Sequence, residues 1–274
     1  MTMLDPSGRT RELGEPALAA LVARLEQRGG HPSFAAMLHA YLDRLPLASA
    51  RSVLDLGCGT GVAARAVASR PEFTGRTVGI DLSPHMVAAA RRLAHEQGLA
   101  ERTTFQVGDS QALEEADAAC DVVIAHTLMS HVSAPEAVLA EAARVVRPGG
   151  TVAIFDIDPA SLTFGTEDPE YGRRMEGAIS SALLANPRLM RTMPLLLRRA
   201  GLELVDSLAW VISEIGRGDF WVGALDSFLV LVPEAGVLAP DEIQAFVDLQ
   251  RRASDEGTFF ASGNYYAYLA RRPA

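Results

Sequence analysis

The chain has 274 residues, of which 49% are hydrophobic and 22% charged, the proportions of a folded globular protein rather than a disordered one. Its net charge is −9, and its basic residues are scattered as pairs such as Arg91-Arg92, Arg198-Arg199 and Arg251-Arg252, so neither nucleic acid nor an anionic membrane is an expected partner. No apolar run approaches the ~20 residues of a membrane-spanning helix, the segment Met1 to Pro6 has no basic start or apolar core, and Cys58 and Cys120 lack a partner motif, so a reducing, cytoplasmic setting is expected.

From Pro16 to Leu47 the apolar residues fall at helical spacing. Leu18, Leu21, Val22 and Leu25 make one stripe, Gly29-Gly30 interrupts it, and Phe34, Met37, Leu38, Tyr41, Leu42 and Leu45 make a second that ends at Pro46. These two helices either pack on a core or act as a lid. From Ser52 short apolar runs alternate with helical stretches. The runs are 53–56, 78–81, 103–107, 122–125 and 151–157, the last launched by a turn at Pro148-Gly149-Gly150, and the helices are 61–70, 84–97 and 135–146. That alternation predicts βαβ units and a parallel, doubly wound sheet. Beyond Asp158 it lapses. Helices are predicted at 168–185, 187–200, 219–232 and 241–253, a sixth strand at 202–215 and a final strand at 265–270.

The sharpest motif is Leu54-Asp55-Leu56-Gly57-Cys58-Gly59-Thr60-Gly61, which closes the first strand and opens a helix. In open α/β sheets ligands bind beyond the carboxyl ends of the strands, and glycine lets backbone approach them closely. A dinucleotide fingerprint counted from Gly57 needs Gly or Ala at position 62, where Val62 stands, and Asp55 would repel a pyrophosphate but attract a cation. Asp81, 24 residues beyond Gly57, ends the second strand and suits the hydroxyls of a ribose. Asp109 follows the third strand and suits an exocyclic amine. S-adenosylmethionine fits the demand for a ligand with a positive end, a ribose and an amino-bearing base, and no phosphate.

The segment 54–61 resembles the cofactor loop of class I S-adenosylmethionine-dependent methyltransferases. Gly79-Ile80-Asp81-Leu82-Ser83-Pro84-His85-Met86 resembles their second motif, Gly108-Asp109-Ser110 their third, and Asp121 to His131 with Arg144 to Gly150 the fourth-strand region of their small-molecule branch, the ubiquinone/menaquinone and type 11-like enzymes. The resemblance implies an α/β fold with a Rossmann-like sheet of seven strands, the last one antiparallel. It implies cofactor contacts at Asp55, Gly57, Gly59, Asp81, Met86, Asp109 and Ser110; Gly61, Leu82 and Gly108 stand in the same motifs. The whole chain, 1–274, then reads as one methyltransferase domain. Residues 1–47 are its N-terminal lid helices, 48–158 the cofactor-binding core, 159–192 and 215–262 cap insertions, and 193–214 with 263–274 the rest of the core.

Methyl transfer to oxygen or carbon usually needs a base. His131 and His126 follow the fourth strand and are the expected bases, although His126 could instead line the cofactor pocket; Asp158 is the next candidate, and Asp156 stands beside it. Cys58 is expected to pack rather than react, and no His/Cys spacing suits a metal. The insertions carry Phe164, Tyr171, Met175, Phe220, Trp221, Phe228 and Phe246. Such stripes either enclose a small organic acceptor, with O-, N- or C-methylation left open, or bury the insertions against the sheet or against a second subunit of a homodimer. An S-adenosylmethionine-binding protein of the same fold with a cyclase or binding role is the alternative function.

Overall fold

The structure, a computed structural model, describes residues 15–274; the first part of the expected lid, residues 1–14, lies outside the described residues. The described residues open with two helices, α1 (Glu15–Gly30) and α2 (Pro32–Leu42). Between them His31 caps α2, its Nδ1 accepting from the Ser33 N–H at 3.3 Å, and Pro32 holds the first helical position, where a missing N–H costs nothing. The predicted stripe of α2 is buried at Phe34, Met37, Leu38, Tyr41 and Leu42, whereas in α1 Leu18 is buried and Leu21, Val22 and Leu25 are half-buried.

The strands are β1 (Ser52–Leu56), β2 (Arg76–Asp81), β3 (Thr103–Val107), β4 (Cys120–His126), β5 (Val146–Phe164), β6 (Glu203–Gly216) and β7 (Phe259–Arg271). They form one seven-stranded sheet in the order β3-β2-β1-β4-β5-β7-β6, with the last strand antiparallel. Helices α3 (Val62–Ala68), α4 (Pro84–Glu96) and α5 (Pro135–Val145) link the parallel strands. Registry sets Leu56 beside Ile80 on one side and Ala125 on the other, and Asp81 beside Val107, so the carboxyl ends of β1 to β4 form one edge. Val53, Leu54, Leu56 and Val122 to Ala125 are almost wholly buried, as central parallel strands covered on both faces must be. Against them Cys58, Ala64, Val87, Ala90, Ala94 and Phe105 make one apolar cluster. A Cβ on Gly79 would meet Phe105 at 2.6 Å, so this strand glycine makes room for that ring.

The chain divides into two compact units. One comprises the residues up to 156 with 192–208 and 267–274; the other comprises 157–191 and 209–266. The first unit includes α7 (Met193–Arg199), preceded by a single tight turn at Leu189–Arg191, where the sequence predicts one helix over 187–200. The second contains α6 (Pro169–Leu183), α8 (Phe220–Glu234) and α9 (Pro240–Glu256). Its aromatic residues pack on one another. Phe164 meets Phe228 at 6.1 Å and Phe246 at 5.3 Å, both edge-on, and the buried Trp221 donates its indole N–H to the Ile212 carbonyl at 2.9 Å. Phe164, Trp221, Phe228 and Phe246 are buried, whereas Tyr171, 6.3 Å from Phe246, and Phe220, 5.0 Å from Trp221, stay half-buried.

Two strands run past their expected limits. Pro148 to Gly150 lie within β5, which continues through Pro159 to Phe164, so the first residues of the expected 159–192 insertion are strand. Proline reads as a terminator because it donates nothing to a ladder, yet here Ala160 turns its N–H to the Pro187 carbonyl and the strand goes on. Likewise Ser262-Gly263-Asn264 reads as a turn but is strand, because the space a Cβ on Gly263 would need, 2.7 Å from Trp221, is filled by the indole. Among the described residues no helix is long and apolar enough to cross a membrane.

Candidate functional site

The loop after β1 places three glycines in the left-handed region, with φ of 60° at Gly57, 53° at Gly59 and 81° at Gly61. Gly61 caps α3, and the loop folds onto β2 through the Cys58 N–H to Ile80 carbonyl bond of 2.9 Å. The Cys58 thiol is buried and its pKa pushed well up by burial and then by Asp55 and Asp81, so it packs as an inert side chain.

Asp81 ties this loop to the next. Its Oδ2 accepts from the Gly59 N–H at 2.8 Å and its Oδ1 from the Ser83 N–H at 2.9 Å. Burial raises its pKa against the pull of those two bonds. Ser83 in turn caps α4, accepting from Met86 N–H, which sets the buried Met86 on the helix's first turn. Asp55 is 1% exposed; its Oδ2 accepts from Ala64 N–H at 3.0 Å, and its Oδ1 has no partner among the described residues. Its pKa rises to about 7, chiefly through burial and also through the charge of Asp81, with the Ala64 N–H opposing. After β3, Asp109 Oδ1 accepts from the Gln111 N–H at 2.8 Å and from its side-chain amide at 3.3 Å. Gln111 also accepts from Ala134 N–H at 3.1 Å, and so joins the loops that follow β3 and β4. Sequence reasoning missed it, since a lone glutamine carries no spacing signal.

A cleft of about 50 Å³ at this edge is lined by Gly57, Ile80, Asp81, Leu82, Gly108, Ser110, Gln111, Leu128, His131 and Val132. Leu128 narrows it: a Cβ on Gly57 would lie 2.4 Å from its Cδ1. Pockets that hold small-molecule ligands run to ~300–1,000 Å³, so the cleft is narrow as it stands. The structure thus brings His131 to the edge that carries Gly57, Asp81, Leu82, Gly108 and Ser110. Its loop is held from below, because buried Asp156 Oδ2 accepts both the Ser130 N–H and the Ser130 hydroxyl at 2.9 Å.

His126 has different surroundings. It is 8% exposed and stacked on Phe155 at 4.8 Å, and burial, followed by the charge of Arg28, lowers its pKa to about 3. A ring that resists protonation so strongly is a weak base at neutral pH. Thr127 follows it with φ of 55°, rare for a β-branched residue, and its hydroxyl accepts from Arg28 at 3.1 Å. Asp158 belongs to the other unit, where its Oδ2 pairs with Arg191 Nε at 2.7 Å.

The donor set fits the ligand that the sequence implies. Each oxygen of Asp81 takes one backbone N–H and keeps a lone pair for a ribose hydroxyl, and the free oxygen of Asp55 is an acceptor for an ammonium. Comparison with known proteins agrees. A family model described as a methyltransferase domain matches residues 53–150. The chain is 32% identical to methyltransferase GfsG of Streptomyces halstedii over 73% of this chain and 70% of that one. It is 33% identical to 27-O-demethylrifamycin SV methyltransferase of Amycolatopsis mediterranei over 50% of this chain and 51% of that one. Among solved structures, a methyltransferase-like protein of Bacillus halodurans superposes with a TM-score of 0.63 at 18% identity, covering 86% of this chain and 99% of the other, which is a likeness of fold.

Proposed function

The chain belongs to the class I S-adenosylmethionine-dependent methyltransferases, and from that membership we propose that it methylates an oxygen, nitrogen or carbon nucleophile of a small organic acceptor, with His131 as the base. The observation that carries this reading is the position of His131 on the same cleft as Gly57, Asp81 and Ser110.

When bound, S-adenosylmethionine supplies a methyl group made electrophilic by a sulfonium. We assign its ribose to Asp81, its base to Asp109 and Ser110 with Leu82 and Met86 beside it, and its ammonium to Asp55. Gly57, Gly59, Gly61 and Gly108 admit it to the backbone. His131 takes the proton that the nucleophile gives up, and Asp156, through Ser130, holds the loop that presents it. Positioning of this kind can supply roughly 7–11 kcal/mol, and a general base ~10²–10⁴-fold in rate. The relatives include one named for a demethylrifamycin, in keeping with an organic acceptor. We assign acceptor choice to residues 159–192 and 215–262, which the family model leaves unmatched.

The test is incubation of the purified chain with methyl-labelled S-adenosylmethionine and a panel of phenols, quinols, polyketides and amines. Label should pass to one acceptor class, and His131→Ala should abolish the transfer without loss of cofactor binding. Cofactor binding with no label passed to any class would favour the non-methylating alternative.

A further inference from the structure

The two end strands of the sheet are built differently. At one end of the strand order β3 has five residues, and at the other β6 has 14. An edge strand carries a row of N–H and C=O groups able to pair with another chain, and folded proteins keep such strands short or interrupt them with lysine, proline or a bulge. β6 contains no lysine and no proline. Its side chains alternate. Every odd-numbered residue from Glu203 to Arg217 is exposed, and the even-numbered ones from Asp206 to Gly216 are buried or half-buried. Between Glu203 and Arg217 the exposed row is uncharged, and Val205 is 45%, Val211 63% and Ile215 78% exposed.

This row is its own complement. Directly opposite residues of antiparallel strands lie on the same face, and a slip of one residue would set the exposed row against the covered one. With Trp210 opposite its own copy, Val205 faces Ile215, Ala209 faces Val211 and Ser207 faces Ser213. Glu203 faces the turn at Gly216, where φ of 85° ends the strand and Arg217 follows. Apolar thus meets apolar, hydroxyl meets hydroxyl, and acid meets base. A shift by two residues one way sets Val205 against Ser213 and Glu203 against Ile215; the other way it sets Val205 against Arg217 and Ser207 against Ile215. The adverse pair of the favoured register is on the other face, where Asp206 meets Glu214, and both carboxylates are already engaged. Asp206 Oδ2 accepts from Arg44 at 3.1 Å, and Glu214 accepts the N–H groups of Asp219 at 2.8 Å and of Phe220 and Trp221 at 2.9 Å.

We propose that β6 is a self-pairing edge: two copies of the chain join antiparallel along Glu203–Gly216, in the register centred on Trp210, and their seven-stranded sheets become one. The partner is a second copy because the exposed row matches itself in shape and charge at every pair. Such a contact is isologous, so each residue in it is used twice.

Mass measurement by light scattering over a dilution series tests the edge. The wild type should reach twice the 29.2 kDa of the chain as concentration rises. Val211→Lys and Val205→Lys, both at exposed positions, should each raise the dimer dissociation constant by about tenfold or more and leave the melting temperature of the diluted chain unchanged. Rescue tests the register. Added to Val205→Lys, Ile215→Glu should restore the dimer by supplying an opposite charge directly across the pair, and Ser213→Glu should restore it less. A wild type of single-chain mass at every concentration, or a dimer that survives either lysine substitution, would overturn the pairing. Rescue by Ser213→Glu equal to or better than that by Ile215→Glu would overturn the register.

Discussion

Two buried aspartates, one in each unit, show how differently the two parts of the molecule are built. Asp158 is 1% exposed and has a guanidinium 2.7 Å away, so its charge is matched within its own unit. Asp55 is equally buried, but its partner is a neutral backbone N–H, and burial first, with the charge of Asp81, raises its pKa to about 7. The first is a structural ion pair. The second has no ion pair among the described residues and precedes a loop of left-handed glycines, and shifted groups of that kind cluster at functional sites. The same contrast runs through the neighbours. The second unit is held by rings packed on rings, whereas the strand edge is held by carboxylates accepting from backbone.

Mutation should separate the two regions. The largest expected effect is at the edge: His131→Ala should lower turnover by about 10²–10⁴-fold while melting temperature and cofactor affinity stay close to wild type. If turnover is unchanged, either the base lies elsewhere or the reaction needs none. Next comes Phe246→Ala in the second unit, which should cost about 3–5 kcal/mol of stability by chemical denaturation and leave cofactor affinity near wild type. A large loss of affinity with little loss of stability would give that ring a role at the ligand rather than in the core. Smaller again, Asp81→Ala should weaken S-adenosylmethionine binding by about 1.5–3 kcal/mol in calorimetry; unchanged affinity would remove Asp81 from the site.

The last expected effect is spread over an interval of pH. Asp55 has a folded pKa of about 7 against an ordinary 3.8, so between those values the folded chain binds more protons than the unfolded one. Stability of the ligand-free protein should therefore fall as pH rises from about 4 to 7, by at most about 1.4 kcal/mol per pH unit from this group. Asp55→Asn should flatten that part of the curve. Since an ammonium favours the ionised carboxylate, cofactor affinity should rise over the same interval. A wild-type stability curve as flat as that of the variant would show that Asp55 titrates normally.

The loop from Asp55 to Gly61 was legible because close backbone approach and left-handed φ leave few residue types to choose from, and the acids at the strand ends follow from the same topology. That His131 stands at the carboxyl edge was legible from its place after the fourth strand. The link that Gln111 makes to Ala134 was not, because it joins two loops that are apart in sequence. The second unit was legible as helices but not as a core, because an aromatic stripe has the same spacing whether it faces a ligand or another ring.

Local sequence determined the strands up to β4, the helices between them and the identity of the cofactor loop, since hydrophobic period, caps and glycine are properties of neighbouring residues. Tertiary structure decided that β5 runs through Pro159 and β7 through Gly263, because what completes a strand there is a carbonyl or an indole from elsewhere in the chain. It also decided that two histidines five residues apart have different surroundings. His126 lies among rings that desolvate it and keep it neutral, and His131 lines the open cleft. Burial and partners set the chemistry of an imidazole, and neither is written in the residues beside it.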